Sequence, residues 1–478
     1  MKRGKRGTAR NRRGNRRRHA ARLEPTRSPL AARQEKPLST RRSLGFVYIA
    51  HVFRYIYGLI LIPYYGRVLG AEEYGKVLAA SALFQVIWLC VEYGCPVAGV
   101  RDLAGTTDRP GIAAQVGRQT MARAIMVPLA IAIGVGGAWL SPVLRVEPEL
   151  VAYAVAIGIN SGFNLGWYFQ GALQFRTQAL LEVFGFALSL GFILLMVRGR
   201  EEGARVLEAL LLSGLISNGI AYTLVARQID LQYLSLTGAF RLIWDSTALF
   251  ASRGLRIMMA NASTYLLSLF APAAQVGYYG PAERFSSVGL SFMQPVGQVL
   301  IGTVTRHLSC DETEREAYRL MRKGILFMLG FGGLALLATV GLSAWIMPLI
   351  LGPGFEQSIL IMQIFGFMFP FAAFNQAVSN YVLIPLRKDT YIIKSTAVCA
   401  GLSIATVLAS TLFGEVGGST IAGARVVAEV VSSCFLAMVL VKLGLGRKIF
   451  MENPDEISRG YSDRGPSRAT DTNPASTR

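Results

Sequence analysis

The chain has 478 residues, of which 52% are hydrophobic and only 16% are charged, and its mean hydropathy is +0.41. Soluble domains carry about 25% charged residues, so a water-soluble fold is excluded for most of the chain. Its apolar runs are continuous rather than alternating, which excludes transmembrane β-strands and predicts an all-α integral membrane protein.

Residues 1–43 form a strongly basic segment with sixteen Lys or Arg and two acidic residues. This composition predicts a disordered tail on the cytoplasmic side of the membrane. Three interpretations stay open: docking on anionic lipid or a partner, a topological anchor, and a start codon assigned too far upstream. Nucleic-acid binding is disfavoured because no aromatic residue lies in this segment.

Apolar runs bounded by charge, Pro or Gly predict about twelve transmembrane helices, each near the 20 residues that cross a bilayer. They divide the chain into a first six-helix bundle (44–227), a connection (228–244), a second six-helix bundle (245–443) and a disordered tail (444–478). The twelve spans are placed near 44–66, 75–100, 119–141, 149–172, 178–198, 205–226, 245–272, 283–305, 322–348, 357–384, 390–413 and 420–443.

With the basic tail inside, the loops on that side hold fifteen Lys or Arg, including Arg123, against seven on the other side. This asymmetry follows the positive-inside rule and predicts that both termini are cytoplasmic.

An internal similarity relates the segment before the second span, 69–77, to the segment before the eighth, 271–282. Both lead into a helix that ends in Pro-Val and then Arg. The similarity indicates parallel repeats, whose interface at the centre of the molecule is where a transported solute usually binds.

Polar residues recur at helical spacing inside several predicted spans. Ionisable residues in a membrane are rare and usually face an interior cavity, so we expect these faces to line one. Each stripe alone also fits ordinary helix–helix hydrogen bonding, and Arg253 and Arg256 also fit snorkelling to the surface. The candidate cavity residues are His51, Arg54, Gln85, Trp88, Glu92, Arg253, Arg256, Arg284 and Gln294, with Asn160, Asn164 and Trp167 as sugar-facing candidates.

Arg54 lies near the middle of the first span. We expect it to bind a substrate anion, and the alternative is a packing ion pair with an acid such as Glu92. Arg425 and Glu429, at i and i+4 on the last span, predict a structural ion pair. A cationic, amide-rich and aromatic cavity suits a diphosphate or acidic group joined to a carbohydrate, because guanidinium groups match phosphate oxygens.

The five cysteines are an odd number without a CxxC pair, and they predict buried apolar side chains rather than a metal site or a disulfide. No Walker motif or metal-ligand cluster is present in the sequence, so we expect no cofactor and no ATP hydrolysis.

Three segments carry a resemblance to a known family. They are 61–105 (LIPYYGRVLGAEEYGKV at its start), 276–307 (VGYYGPAERF at its start) and 349–358 (LILGPGFEQS). The first resembles the opening signature of the polysaccharide transporters, the Wzx-like oligosaccharide-lipid flippases of the multidrug/oligosaccharidyl-lipid/polysaccharide exporter superfamily. The matching motif residues include Arg67, Gly70, Tyr74, Gly75 and Arg101.

The resemblance implies two six-helix bundles around a V-shaped central cavity lined by spans one, two, seven and eight. It also implies a bacterial inner-membrane flippase that moves undecaprenyl-diphosphate-linked oligosaccharides by alternating access, for O-antigen or exopolysaccharide assembly. Its implied partners are the lipid-linked oligosaccharide, membrane lipids and polysaccharide polymerase or assembly proteins. Residues 261–270 lack the acid that many members carry on the seventh span, so coupling to H⁺ or Na⁺ stays open.

Two alternatives remain. A multidrug or cation antiporter of the same superfamily needs a buried acid in the first bundle, where Glu92 and Glu182 are the candidates. A polysaccharide polymerase or ligase needs a large external loop or a catalytic acid pair. Neither is found in the sequence, so we expect no enzymatic activity.

Overall fold

The structure, a computed structural model, describes residues 40–106, 108–291, 300–301, 304–308, 314–413 and 416–450, without the side chains of 40–44, 47, 227, 231, 248–249, 251–262 and 413. The described residues are mainly helical and contain no strand. The tail segments 1–39 and 451–478 lie outside the described part. This architecture confirms the predicted all-α class.

The first half of the chain contains eight helices, separated by short turns. They are α1 (Thr40–Glu92), α2 (Cys95–Ala104), α3 (Arg109–Leu140), α4 (Pro142–Arg145), α5 (Pro148–Gly162), α6 (Gly166–Gly171), α7 (Phe175–Met196) and α8 (Gly203–Val225).

In the described part of the second half, seven α-helices have both ends defined. They are α9 (Leu236–Phe270), α10 (Ala273–Ser291), α11 (Glu314–Leu351), α12 (Glu356–Ala377), α13 (Asp389–Phe413), α14 (Gly418–Lys442) and α15 (Leu445–Phe450). The predicted polar tail therefore begins later than residue 444, because Leu445 and Ile449 of α15 are buried in an apolar cluster.

Helix α1 is one continuous run with a sharp kink at Gly70, where φ is 76° and ψ is 176°. A positive φ of this kind favours glycine, and it divides α1 into a first arm (40–69) and a second arm (71–92). These arms correspond to the first two predicted spans. We call the end of the molecule near this kink the Gly70 end.

Local sequence explains where the helices begin and end. The second arm stops at Tyr93 and Gly94, both with positive φ, and α2 starts with Pro96 in its first turn. The Asp108 carboxylate caps α3 by accepting a hydrogen bond from the Gly111 amide at 2.9 Å. The predicted second span, 75–100, is thus shorter and is followed by a separate helix.

Nine helices of the described part are long and apolar enough to cross a membrane, with the kinked α1 counted once. Helix α1 packs against α3, α5 and α7, while α12 packs against α11 and α14. Helix α9 contacts both α3 and α10, so it lies between the two halves. This packing produces a multi-pass membrane protein whose first-half helices surround a cavity.

Candidate substrate cavity

A cavity of about 830 Å³ lies among the first-half helices and is lined mainly by α1, α5, α7 and α8. Its described polar lining consists of Arg54, Tyr57, Tyr65, Tyr74, Ser81, Gln85, Glu92, Asn160, Ser161, Asn164, Glu182, Ser189, Ser213, Ser217, Asn218 and Arg284, together with the indoles of Trp88 and Trp167. Among the described lining residues, Arg284 alone comes from the second half. The described part of the cavity wall therefore belongs mainly to the first half.

Arg54 lies on the first arm of α1 and pairs with Glu182 of α7. Its Nε donates a hydrogen bond to Glu182 Oε1 at 3.0 Å, and its Nη2 donates to the same oxygen. The two side chains are 56% and 24% exposed. The alternative of an ion pair with an acid therefore applies to Arg54 in this structure, with Glu182 rather than Glu92 as the partner. Arg54 lies sixteen residues before the kink and Glu92 lies twenty-two residues after it, which separates their depths by about 9 Å at the helical rise per residue.

The second arm contributes the polar face that its helical spacing predicts. Ser81, Gln85, Trp88 and Glu92 all line the cavity. Gln85 donates to the Ser81 carbonyl at 3.3 Å, and Glu92 is buried. One face of this arm therefore supplies an amide, an indole and a carboxyl group to the same space.

Three asparagines form a connected amide cluster on another wall. Asn218 of α8 donates to Asn160 Oδ1 at 3.0 Å, and Asn164 donates to Asn218 Oδ1 at 3.3 Å. The Asn164 Oδ1 atom also accepts from the Gly166 amide at 2.7 Å. Asn218 was not a predicted site residue, although Ser213, Ser217 and Asn218 in an apolar helix were a signal for it.

Trp167 is buried and lies against Arg123 of α3, whose guanidinium carbon is 5.6 Å from the ring centroid. Arg123 is fully buried within the helix. Its assignment to a cytoplasmic loop is therefore wrong, because the helix begins earlier, at Arg109, than the predicted span at 119. A cation over an indole face is a stabilising contact, and it fixes this wall of the cavity.

Arg284 of α10 enters the cavity beside a group of tyrosines. It lies within electrostatic range of Tyr57, Tyr65 and Tyr74. The Tyr57 hydroxyl is 2.7 Å from Ser189 Oγ of α7. This contact connects the first arm to α7. Arg284 is thus the second guanidinium group, beside Arg54, that lines the cavity.

The remaining candidates fall elsewhere. His51 is not part of the described cavity lining; its ring is exposed and packs edge-on against Tyr55, with the centroids 4.9 Å apart. Arg253 and Arg256 lie on α9, in the stretch whose side chains are outside the described part. Gln294 is outside the described residues altogether.

Four of the five motif residues, Arg67, Gly70, Tyr74 and Gly75, lie at the Gly70 end, and Tyr74 also lines the cavity. Arg67 donates to the Leu349 carbonyl of the third segment. A Cβ on Gly75 would lie 1.8 Å from the Ala273 carbonyl oxygen, and a Cβ on Gly277 would lie 1.8 Å from the Ala71 carbonyl oxygen. The two segments that resemble each other in sequence thus cross through equivalent positions. We call this contact the glycine crossing.

Two further candidates have different contacts from those expected. Arg101, on α2, is 74% exposed and pairs with its neighbour Asp102 at 3.0 Å. Arg425 pairs with Glu283 of α10 at 2.9 Å rather than with Glu429, which accepts from Asn375 at 2.7 Å. The predicted Arg425–Glu429 pair is wrong, because facing helices provide a better-placed acceptor for Arg425 and a donor for Glu429.

Outside the membrane spans, the turn between α7 and α8 carries one shifted acid. The amides of Arg198 and Gly199 donate to Glu202 Oε2 at 2.6 and 2.9 Å. These hydrogen bonds hold the pKa of the Glu202 carboxyl below its usual value. They order the turn that connects two cavity helices.

Comparison with known proteins agrees with the resemblance found in the sequence. The family model described as "Polysaccharide biosynthesis protein" matches residues 41–307. Two curated proteins named "Putative O-antigen transporter" are similar to the chain. The protein from Escherichia coli (strain K12) is 20% identical over 336 residues, which are 68% of this chain and 79% of its own. The protein from Shigella dysenteriae is 18% identical over 73% of this chain and 87% of its own.

Solved structures show the same fold. The lipid II flippase MurJ in an inward closed conformation matches with a TM-score of 0.62 and 12% identity, covering 89% of this chain and 94% of that one. An inward-facing multidrug resistance MATE transporter of the MOP superfamily matches with a TM-score of 0.50 and 16% identity, covering 82% and 99%. At these identities the similarity shows the fold alone.

Proposed function

The chain belongs to the polysaccharide biosynthesis protein family, and from this premise we propose that it is a flippase for undecaprenyl-diphosphate-linked oligosaccharides. It moves O-antigen or exopolysaccharide units across the bacterial inner membrane by alternating access, with both termini in the cytoplasm. Its partners are the lipid-linked oligosaccharide, membrane lipids and the polymerase or assembly proteins that use the exported unit. We further propose that it binds no cofactor and catalyses no reaction.

The observation that carries the proposal is the combination of groups on one cavity. Arg54 and Arg284 supply guanidinium donors that match phosphate oxygens. The asparagine cluster and the serines supply amide and hydroxyl groups that suit sugar hydroxyls. Trp88 and Trp167 supply flat apolar faces for sugar rings. A headgroup with a diphosphate and a carbohydrate uses all three kinds of group.

A second candidate, the multidrug or cation antiporter, is favoured by one observation. Both candidates for the acid that such a transporter requires in the first half, Glu92 and Glu182, line the cavity. Glu182 pairs with Arg54, so we take Glu92 as the carboxyl group to test for a cation. An organic cation as substrate then predicts that Glu92→Gln abolishes transport while Arg54→Ala does not.

Transport of a fluorescent undecaprenyl-diphosphate oligosaccharide in proteoliposomes tests the flippase. We expect Arg54→Ala to abolish translocation, and Arg54→Lys to impair it because the planar guanidinium fork is lost. The matched control is Arg205→Ala, which removes another arginine paired with an acid, Glu202, outside the cavity. Normal translocation by Arg54→Ala at normal protein abundance refutes the flippase proposal, because Arg54 is its main binding group for the diphosphate.

A further inference from the structure

The charged groups in the described lining of the cavity are balanced. Arg54 and Arg284 are the cations, and Glu92 and Glu182 are the acids. Among the described lining residues, the acids therefore equal the cations in number. A diphosphate is strongly repelled by nearby carboxylates, so a substrate of this kind requires at least one acid to give up its position. Of the two acids, Glu182 is the one in direct contact with Arg54, the candidate binding group for the phosphate.

The Arg54–Glu182 pair has the geometry of a contact that can be exchanged. Both guanidinium nitrogens in the contact, Nε and Nη2, reach the single oxygen Oε1. Arg54 is more than half exposed, and in the described part of the chain the hydrogen bonds to Glu182 come from Arg54 alone. Each phosphate in a lipid-linked sugar diphosphate has two non-bridging oxygens, which match the guanidinium fork through two parallel bonds, so the diphosphate is the stronger partner for Arg54.

The Arg425–Glu283 pair in the second half provides the contrast. Its two side chains are only 22% and 11% exposed. Glu283 also accepts hydrogen bonds from Thr264 at 2.5 Å and from Tyr279 at 3.2 Å. A carboxylate held by three donors in a buried site is a fixed structural element. Glu182 lacks this support among the described residues and lines an open cavity.

We propose that Glu182 is an internal substitute for the substrate anion. It occupies Arg54 while the cavity is empty, and the diphosphate of the lipid-linked substrate displaces it. When the substrate leaves, the carboxylate returns to Arg54 and so favours release. The inference rests on the proposed function, because it assumes that a diphosphate enters this cavity.

Binding measurements on the purified full chain test the inference, with undecaprenyl diphosphate as the anionic probe and undecaprenol as its neutral counterpart. We expect Glu182→Gln to bind undecaprenyl diphosphate about fivefold more tightly, which is about 1 kcal/mol, with unchanged binding of undecaprenol. Translocation by this variant should be slower, because release loses its internal competitor. In an Arg54→Ala background, Glu182→Gln should increase the affinity by less than fivefold, because the competition for Arg54 is gone and only the repulsion by the carboxylate is relieved.

Glu147→Gln is the matched control. It breaks another ion pair, with Lys76 at 2.7 Å, outside the cavity lining, and it should leave the affinity unchanged. If wild-type protein does not distinguish undecaprenyl diphosphate from undecaprenol, the proposed function itself fails. If wild-type protein does distinguish the two probes, two results for Glu182→Gln overturn the inference. The first is binding of the diphosphate no tighter than wild type, and the second is a loss of protein abundance together with affinity, which shows that the pair is structural.

Discussion

Disruption of the glycine crossing at the Gly70 end should separate the second arm of α1 from α10. In a Gly75→Ala variant, the new Cβ would lie 1.8 Å from the Ala273 carbonyl oxygen and 2.8 Å from the Gly277 amide nitrogen. Both atoms belong to the backbone, so no side chain can rotate away. Real Cβ atoms approach other heavy atoms to no less than 3.0 Å. The second arm of α1 and α10 must therefore separate by at least about 1.2 Å.

Small residues at such crossings allow helix backbones to pack closely in a membrane. Overpacking of a well-packed contact costs about 1–3 kcal/mol, which corresponds to a shift of about 5- to 150-fold in an equilibrium between two conformations. Because the crossing connects the two halves, we expect Gly75→Ala to open the Gly70 end. Gly277→Ala should act in the same way, since it meets the Ala71 carbonyl oxygen at the same distance.

Pulsed electron resonance distances between spin labels measure this opening. Exposed positions 201 and 357 place one label on each half, in a background without the five native cysteines. We expect a longer distance component in Gly75→Ala and in Gly277→Ala. Gly136→Ala is the control, because a Cβ there meets nothing within 4 Å. An unchanged distance distribution and an unchanged melting temperature in Gly75→Ala would show that the two backbones are not in contact.

Three further predictions concern topology, a buried ion pair and a turn. Reporter fusions at 43, 310 and 450 should all report the cytoplasm, and a periplasmic signal at any of them contradicts the proposed orientation. Arg425→Met should lower the melting temperature strongly, since removing one partner of a buried pair costs about 3–5 kcal/mol; a second change, Glu283→Leu, should restore part of the loss, and no recovery argues against the pair. Because the pKa of Glu202 is lowered in the folded state, the ionised carboxylate stabilises the fold at every pH above the ordinary carboxyl pKa. This stabilisation is lost as the pH falls through the lowered pKa of Glu202. Over that pH range, wild type should lose the protection of the Gly199 amide against hydrogen exchange. In Glu202→Gln this protection should be low at every pH, and identical profiles for the two proteins contradict the role of Glu202 as the acceptor.

The sequence alone determined the features that depend on local spacing. Continuous apolar runs required membrane helices, because only helices satisfy the backbone in a bilayer without alternating side chains. The face formed by Ser81, Gln85, Trp88 and Glu92 followed from helical periodicity, which requires no knowledge of a neighbouring helix. The kink at Gly70 and the close approach of Gly75 both fall in the motif that carries the family resemblance.

Only the tertiary structure decided which side chains meet. The partners of Arg54 and Arg425 depend on the depth and rotation of facing helices, and the sequence spacing suggested Glu92 and Glu429 for them instead. The same reason explains why Asn218 was missed as a cavity residue and why Glu182 was named only as a candidate acid of an antiporter. Arg123 was assigned to a loop for a different reason, because the helix begins earlier than the predicted span. Helical periodicity fixes the face on which a residue lies, whereas the partner on that face is set by how the helices pack against each other.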